Sequence, residues 1–128
     1  MTNMNFQEQI DNTDYWDERV MSLECTCFSD EVILTFVNNK GKVQLCFEQC
    51  YSVFFDHEKQ YNKNIAVKKM TLLQIPYFLQ NIEVTEFCDN GETFFKCTIK
   101  MFPLDVRILC KNIVVNITQE LGSSANNT

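Results

Sequence analysis

The chain has one histidine, one tryptophan, two prolines and only three glycines in 128 residues. So few glycines leave no place for a Gly-rich phosphate loop, and neither a Ser-centred nucleophile elbow nor a carboxylate–histidine metal pattern occurs. No run of eighteen apolar residues exists, and the opening MTNMNFQEQI has neither a basic stretch nor an apolar centre. A membrane-spanning helix and an export signal are unsupported, and the cytosol is the expected compartment. Basic side chains are missing where acidic ones gather. From Met1 to Glu31 there are eight acids (Glu8, Asp11, Asp14, Asp17, Glu18, Glu24, Asp30, Glu31) against Arg19, a balance of −7. The other residues carry nine acids against ten bases, +1, so the net charge of −6 comes from one end. A nucleic-acid binder needs the opposite sign to meet phosphates, so nucleic acid is excluded as the expected partner.

What is present is apolar and cysteine-rich. Forty-five percent of the residues are hydrophobic and eleven are Phe, ample for one core in a chain of ordinary domain size. A single domain over 1–121 is expected, followed by a disordered tail over 122–128. Seven cysteines without an export signal read as reduced thiols packed in strands, where each behaves as a small hydrophobe. Four of them, Cys25, Cys27, Cys46 and Cys50, can in principle ligate zinc. Their spacing is not that of a zinc knuckle, so core packing is the stronger reading and no cofactor or metal is expected. His57 sits in the polar stretch DHEKQYNKN, read as a surface loop. With no nucleophile signature beside it, a solvated histidine is a better account than a Cys–His catalytic pair.

From Arg19 onward, alternation of apolar and polar residues predicts strands. Met21, Leu23, Cys25 and Cys27 share one face. EVILTFV is apolar on both faces, as a central strand requires, and KVQLCFEQCYSVFF loses phase near Glu48 and Gln49, which predicts a bulge. IAVKKMTLLQIPYFLQ is ambiguous between strand and short helix, with Pro76 interrupting it. Asn90-Gly91 predicts a tight hairpin turn. Phe95, Cys97, Ile99 and Met101 point inward, then Leu104, Val106, Ile108 and Cys110, then a further strand through Ile113, Val115 and Ile117. The fold class is therefore mostly β: an antiparallel two-sheet sandwich or flattened barrel of seven or eight strands, with little helix.

With catalytic motifs absent, the stretch DNTDYWDERV carries the functional argument. Trp16 either anchors the N-terminal segment in the core, or belongs to a recognition patch in which aromatics supply binding energy and carboxylates steer a basic partner. The two readings join if Trp16 is buried and its neighbours form a rim. Asp14, Tyr15, Trp16, Asp17 and Glu18 are the candidate partner-binding residues. A second class of function, a small-molecule or lipid carrier with Phe and Met lining a cavity between two sheets, is the alternative.

DYWDERVMSLEC, then VILTFVNNKGKVQLCFEQCYSVFF, then LQNIEVTEF and FFKCTIKMFPLDVRILCKNIVVN resemble, in order and spacing, a set of small β-rich bacterial proteins of mostly unknown function. Some of these resemble polymorphic-toxin immunity proteins, which bind and block a cognate toxin. The likeness spans Tyr15 to Asn116. It implies a non-catalytic binding protein whose acidic surface masks the basic active site of a protein toxin such as a nuclease. Those proteins open with an aromatic-His-Asp-Ser step, whereas Trp16-Asp17-Glu18 keeps the aromatic and the Asp alone, so no role of the absent His and Ser carries over.

Overall fold

The computed structural model describes residues 5–58 and 65–119, which leaves the tail expected over 122–128 outside the described residues. A short helix, α1 (Phe6–Asp11), precedes six strands: β1 (Val20–Thr26), β2 (Glu31–Asn38), β3 (Gly41–His57), β4 (Asn81–Asp89), β5 (Glu92–Met101) and β6 (Leu104–Thr118). All pair antiparallel in one sheet of order β1-β2-β3-β6-β5-β4. The β-rich class and the scarcity of helix are as expected, whereas among the described residues there is one sheet of six strands in place of two sheets of seven or eight. The count falls because LDVRILC and NIVVNI are one continuous strand, β6. The ambiguous stretch before Pro76 forms two short 3-10 turns, Val67–Lys69 and Leu72–Gln74, instead of a strand.

One sheet can do the work of two layers because its long central strands change phase together. On β3 the inward series runs Val43, Leu45, Phe47 and then steps by three to Cys50. On β6 it runs Leu104, Val106, Ile108, Cys110 and steps by three to Ile113. Glu48 lies opposite Asn112 and Cys50 opposite Cys110, so both steps fall at the same level of the sheet. Gln49, at the expected irregularity, has a left-handed φ of 55°, which turns the strand about its axis. The sheet thus folds over on itself, and Leu34, Phe36 and Leu45 from one half share a core with Ile99, Val106 and Ile108 from the other. Phe36 and Phe47 are fully buried, each stabilising the fold by roughly 1.5–3 kcal/mol.

The folded sheet is tied shut at one corner. Residues leading into the two edge strands pair through Asp17 N–H to Leu79 O (2.7 Å), Leu79 N–H to Glu18 O (2.8 Å) and Val20 N–H to Tyr77 O (2.8 Å), around an isolated bridge between Arg19 and Phe78. Turn chemistry sets the hairpins. Asn90 and Gly91 have φ of 51° and 78°, as their sequence demands. At Gly41, φ is 121° and a Cβ would stand 2.6 Å from the Thr118 carbonyl oxygen, so only glycine fits.

Three local expectations are corrected. Met21 is exposed because the register shifts between Val20 and Ser22 and turns it away from Leu23. Asp56 and His57 end strand β3 and are not in a loop, since pairing with β6 continues to Leu104; the rest of that stretch beyond Glu58 lies outside the described residues. Of the seven free cysteines only Cys97 and Cys110 are fully buried, while Cys25, Cys27 and Cys88 are exposed.

Candidate binding surface

The acidic quarter begins at α1. Asn5 caps it, accepting from Glu8 N–H at 2.8 Å while Glu8 accepts from Asn5 N–H at 3.2 Å, so Glu8 serves the helix start. Past the helix the chain descends into the core at Thr13 and Tyr15, both fully buried. Thr13 donates to Ile10 O at 2.6 Å, and Asn38 holds the Thr13 carbonyl at 2.8 Å. The Tyr15 hydroxyl accepts from Ile82 N–H at 2.8 Å. Burial raises its pKa above 10.0, while the backbone hydrogen bond partly opposes the rise, so the phenol stays neutral. Beside it, Gln7 donates to Ile82 O at 2.9 Å and accepts from Val84 N–H at 2.7 Å.

The anchor of this segment is therefore Tyr15, not Trp16. Trp16 is 46 % exposed and stacks on Tyr15 at 4.2 Å with 25° between the planes. The joint reading that required a buried Trp16 is thus reversed: tyrosine is buried and tryptophan lies on the surface. It borders a shallow depression edged by Asp11, Asn81 and Glu83. Asp14 and Asp17, at φ 57° and 66°, turn the chain on either side of the aromatic pair and are exposed. Glu18 is half-buried. The structure thus brings Asp14, Trp16, Asp17 and Glu18 to one turn on the surface, with Tyr15 beneath them.

These charges meet little compensation. Arg19, the sole base of the quarter, spends its guanidinium on backbone carbonyls, Ile75 O at 3.0 Å and Leu73 O at 3.3 Å, and lies 4.5 Å over the Phe78 ring. Among the described residues, the only ion pair made by the eight acids is Asp14 with Lys40 at 3.6 Å, an exposed contact of small value.

The remaining acids gather at the far end of β1. Glu31 and Glu48 stand directly opposite across β2 and β3, Thr26 donates to Glu31 at 3.2 Å, and Asn112 to Glu48 at 2.8 Å. Between β1 and β2, Cys27, Phe28 and Ser29 all adopt left-handed φ (53°, 58° and 67°), and Phe28 is fully exposed at the tip. The alternation carries the first strand through Cys27, whereas β1 ends at Thr26 and Cys27 opens the turn.

The candidates for chemistry separate. Cys46 lies on the outer face, in register with Ile33 and Val114, while Cys25 faces Val32 on the inner side and Cys50 packs against the core, so the four thiols do not assemble a tetrahedral set. His57 bonds to the Tyr77 hydroxyl at 2.7 Å. Burial pushes the Cys50 thiol up to about 12 and the Cys110 thiol up to about 11, away from thiolate chemistry. Among the described aromatics, Phe36 and Phe47 fill the core, whereas Phe28, Phe54, Phe55 and Phe102 are exposed.

The antiparallel sheet thus shows, beside an exposed tryptophan braced on Tyr15, carboxylates with one exposed ion pair among the described residues. The sequence matches the family of immunity protein PIM7 over residues 2–117, and the chain belongs to that family. Membership carries an immunity role and the binding of a cognate toxin. A comparison with curated proteins gave no match.

Proposed function

We propose that this immunity protein works in the cytosol without catalysis, covering a basic surface of its toxin, such as the active site of a nuclease, with fixed negative charge. The observation that carries the reading is the uncompensated acidic quarter: eight acids, one guanidinium already committed to backbone carbonyls, and one exposed ion pair among the described residues. Occlusion asks for a stiff scaffold and complementary charge, and reactive groups are not needed. Trp16, braced on Tyr15, offers an aromatic contact at little entropic cost, with Asp14, Asp17 and Glu18 around it.

The test is the association rate with the cognate toxin, measured against ionic strength. A steered complex associates about 10-fold or more faster at low salt than at high salt. Reversing Asp14, Asp17 and Glu18 to Lys should slow association and abolish protection of cells. If neutralisation is unchanged, that surface is not the contact; a rate indifferent to salt for the unaltered protein removes charge from the account altogether.

A further inference from the structure

Two features at the tip of the β1–β2 hairpin cost the fold something. Three consecutive non-glycine residues, Cys27, Phe28 and Ser29, hold left-handed φ, a conformation costing roughly 1–2 kcal/mol per residue for L side chains. The middle one presents a whole phenylalanine ring to water. Alongside, Glu31 and Glu48 oppose each other in register, a like-charge pairing that destabilises a sheet. Neither carboxylate is relieved by a cation among the described ion pairs; each is oriented by a neutral donor, Thr26 for one and Asn112 for the other. The turn is nonetheless held in place, with Asp30 N–H bonded to Cys27 O at 3.0 Å and Cys50 N–H to Asp30 O at 2.9 Å. The hairpin is thus a fixed projection, and β1 separates it from the Trp16 turn by about 20 Å of strand.

An exposed aromatic at a hairpin tip, with two carboxylates that no cation meets among the described ion pairs at the hairpin's base, matches a partner surface with an apolar socket beside cationic side chains. Binding energy concentrates in such a buried aromatic anchor, and the rim charges set the rate and choice of partner. We infer that the β1–β2 hairpin is a docking element for the cognate toxin, with Phe28 entering an apolar socket and the Glu31–Glu48 pair meeting Lys or Arg side chains around it. This rests on the reading that an acidic surface masks a basic toxin, and it assigns the anchor of that surface to the end of β1 opposite Trp16.

The probe is the purified cognate toxin, titrated against full-length variants whose thermal unfolding is checked first. Phe28→Ala removes only an exposed ring, and Glu31→Gln with Glu48→Gln removes a repulsion, so all fold at least as well as the parent. Expected are a loss of affinity of about 30-fold or more for Phe28→Ala, expressed as faster dissociation, and a flatter salt dependence of association for the double Gln variant. If the hairpin variants bind like the parent while the Asp14, Asp17 and Glu18 reversals weaken binding, the hairpin assignment is overturned and the acidic-surface reading survives. If neither set changes affinity or salt dependence, both fall together. Weakening by both sets supports one footprint that reaches both ends of β1.

Discussion

At one end of β1, Tyr15 is buried, its hydroxyl bonded to the Ile82 amide, and Trp16 rests on it as a braced surface plate. At the other end, Phe28 projects into water from a run of left-handed residues. Each site places an aromatic among carboxylates, yet one aromatic pair stabilises the fold while the other residue costs it. A residue whose removal should not harm the fold is easier to connect with binding than one whose removal loosens everything. The contrast can be broken by stability measurements alone, without a toxin in hand.

The largest effect is expected at the buried end. Tyr15→Ala should lower unfolding free energy by about 3–5 kcal/mol in denaturant titration, since it empties a fully enclosed aromatic site. Tyr15→Phe keeps the ring but leaves Ile82 N–H without its 2.8 Å acceptor, and about 1–3 kcal/mol should be lost. A Tyr15→Phe variant as stable as the parent would show that the hydroxyl is not what ties the N-terminal segment to β4.

Alkali sharpens the same division between interior and tip. Burial lifts the Cys110 thiol from 9.0 to about 11, so the folded state resists an ionisation that the unfolded chain undergoes. That stability is whole below pH 9 and drains away as pH rises through about 11, with Cys50 extending the decline towards about 12. Denaturation midpoints recorded across that range should fall, and a flat profile would contradict the buried neutral thiols. At neutral pH, alkylation followed by mass spectrometry should mark exposed Cys25, Cys27 and Cys88 quickly, and Cys97 and Cys110 only when the protein is unfolded. The smallest effect belongs to the tip: Ser29→Gly should stabilise by about 1 kcal/mol by releasing a left-handed residue at φ 67°. Destabilisation there would mean that the turn is not under strain.

Much of the strand pattern was legible from side-chain alternation. Phe95, Cys97, Ile99 and Met101 do face the core, as do Leu104, Val106, Ile108 and Cys110, because their polar partners alternate strictly. The number of sheets was not legible. A phase step in one strand reads as a bulge or a strand end, and only the pairing of β3 with β6 reveals that both step at the same level and bend a single sheet. At the candidate surface, composition showed that charge gathers near Trp16, but not which aromatic is buried. Tyr15 was indistinguishable from Trp16 until Ile82, sixty-seven residues away, supplied the partner for its hydroxyl. Glu48 joined the acidic tip only through register with Glu31.

The side-chain amide of Gln7 has a consequence for life at high concentration. β4 is an outermost strand of the sheet, and its Ile82 carbonyl and Val84 amide would otherwise invite the backbone of another molecule. Gln7 offers the same donor and acceptor that a neighbouring peptide group would, and so acts as a surrogate for one residue of a missing seventh strand. By filling that position from within, the chain leaves those two backbone groups nothing to offer another molecule's edge.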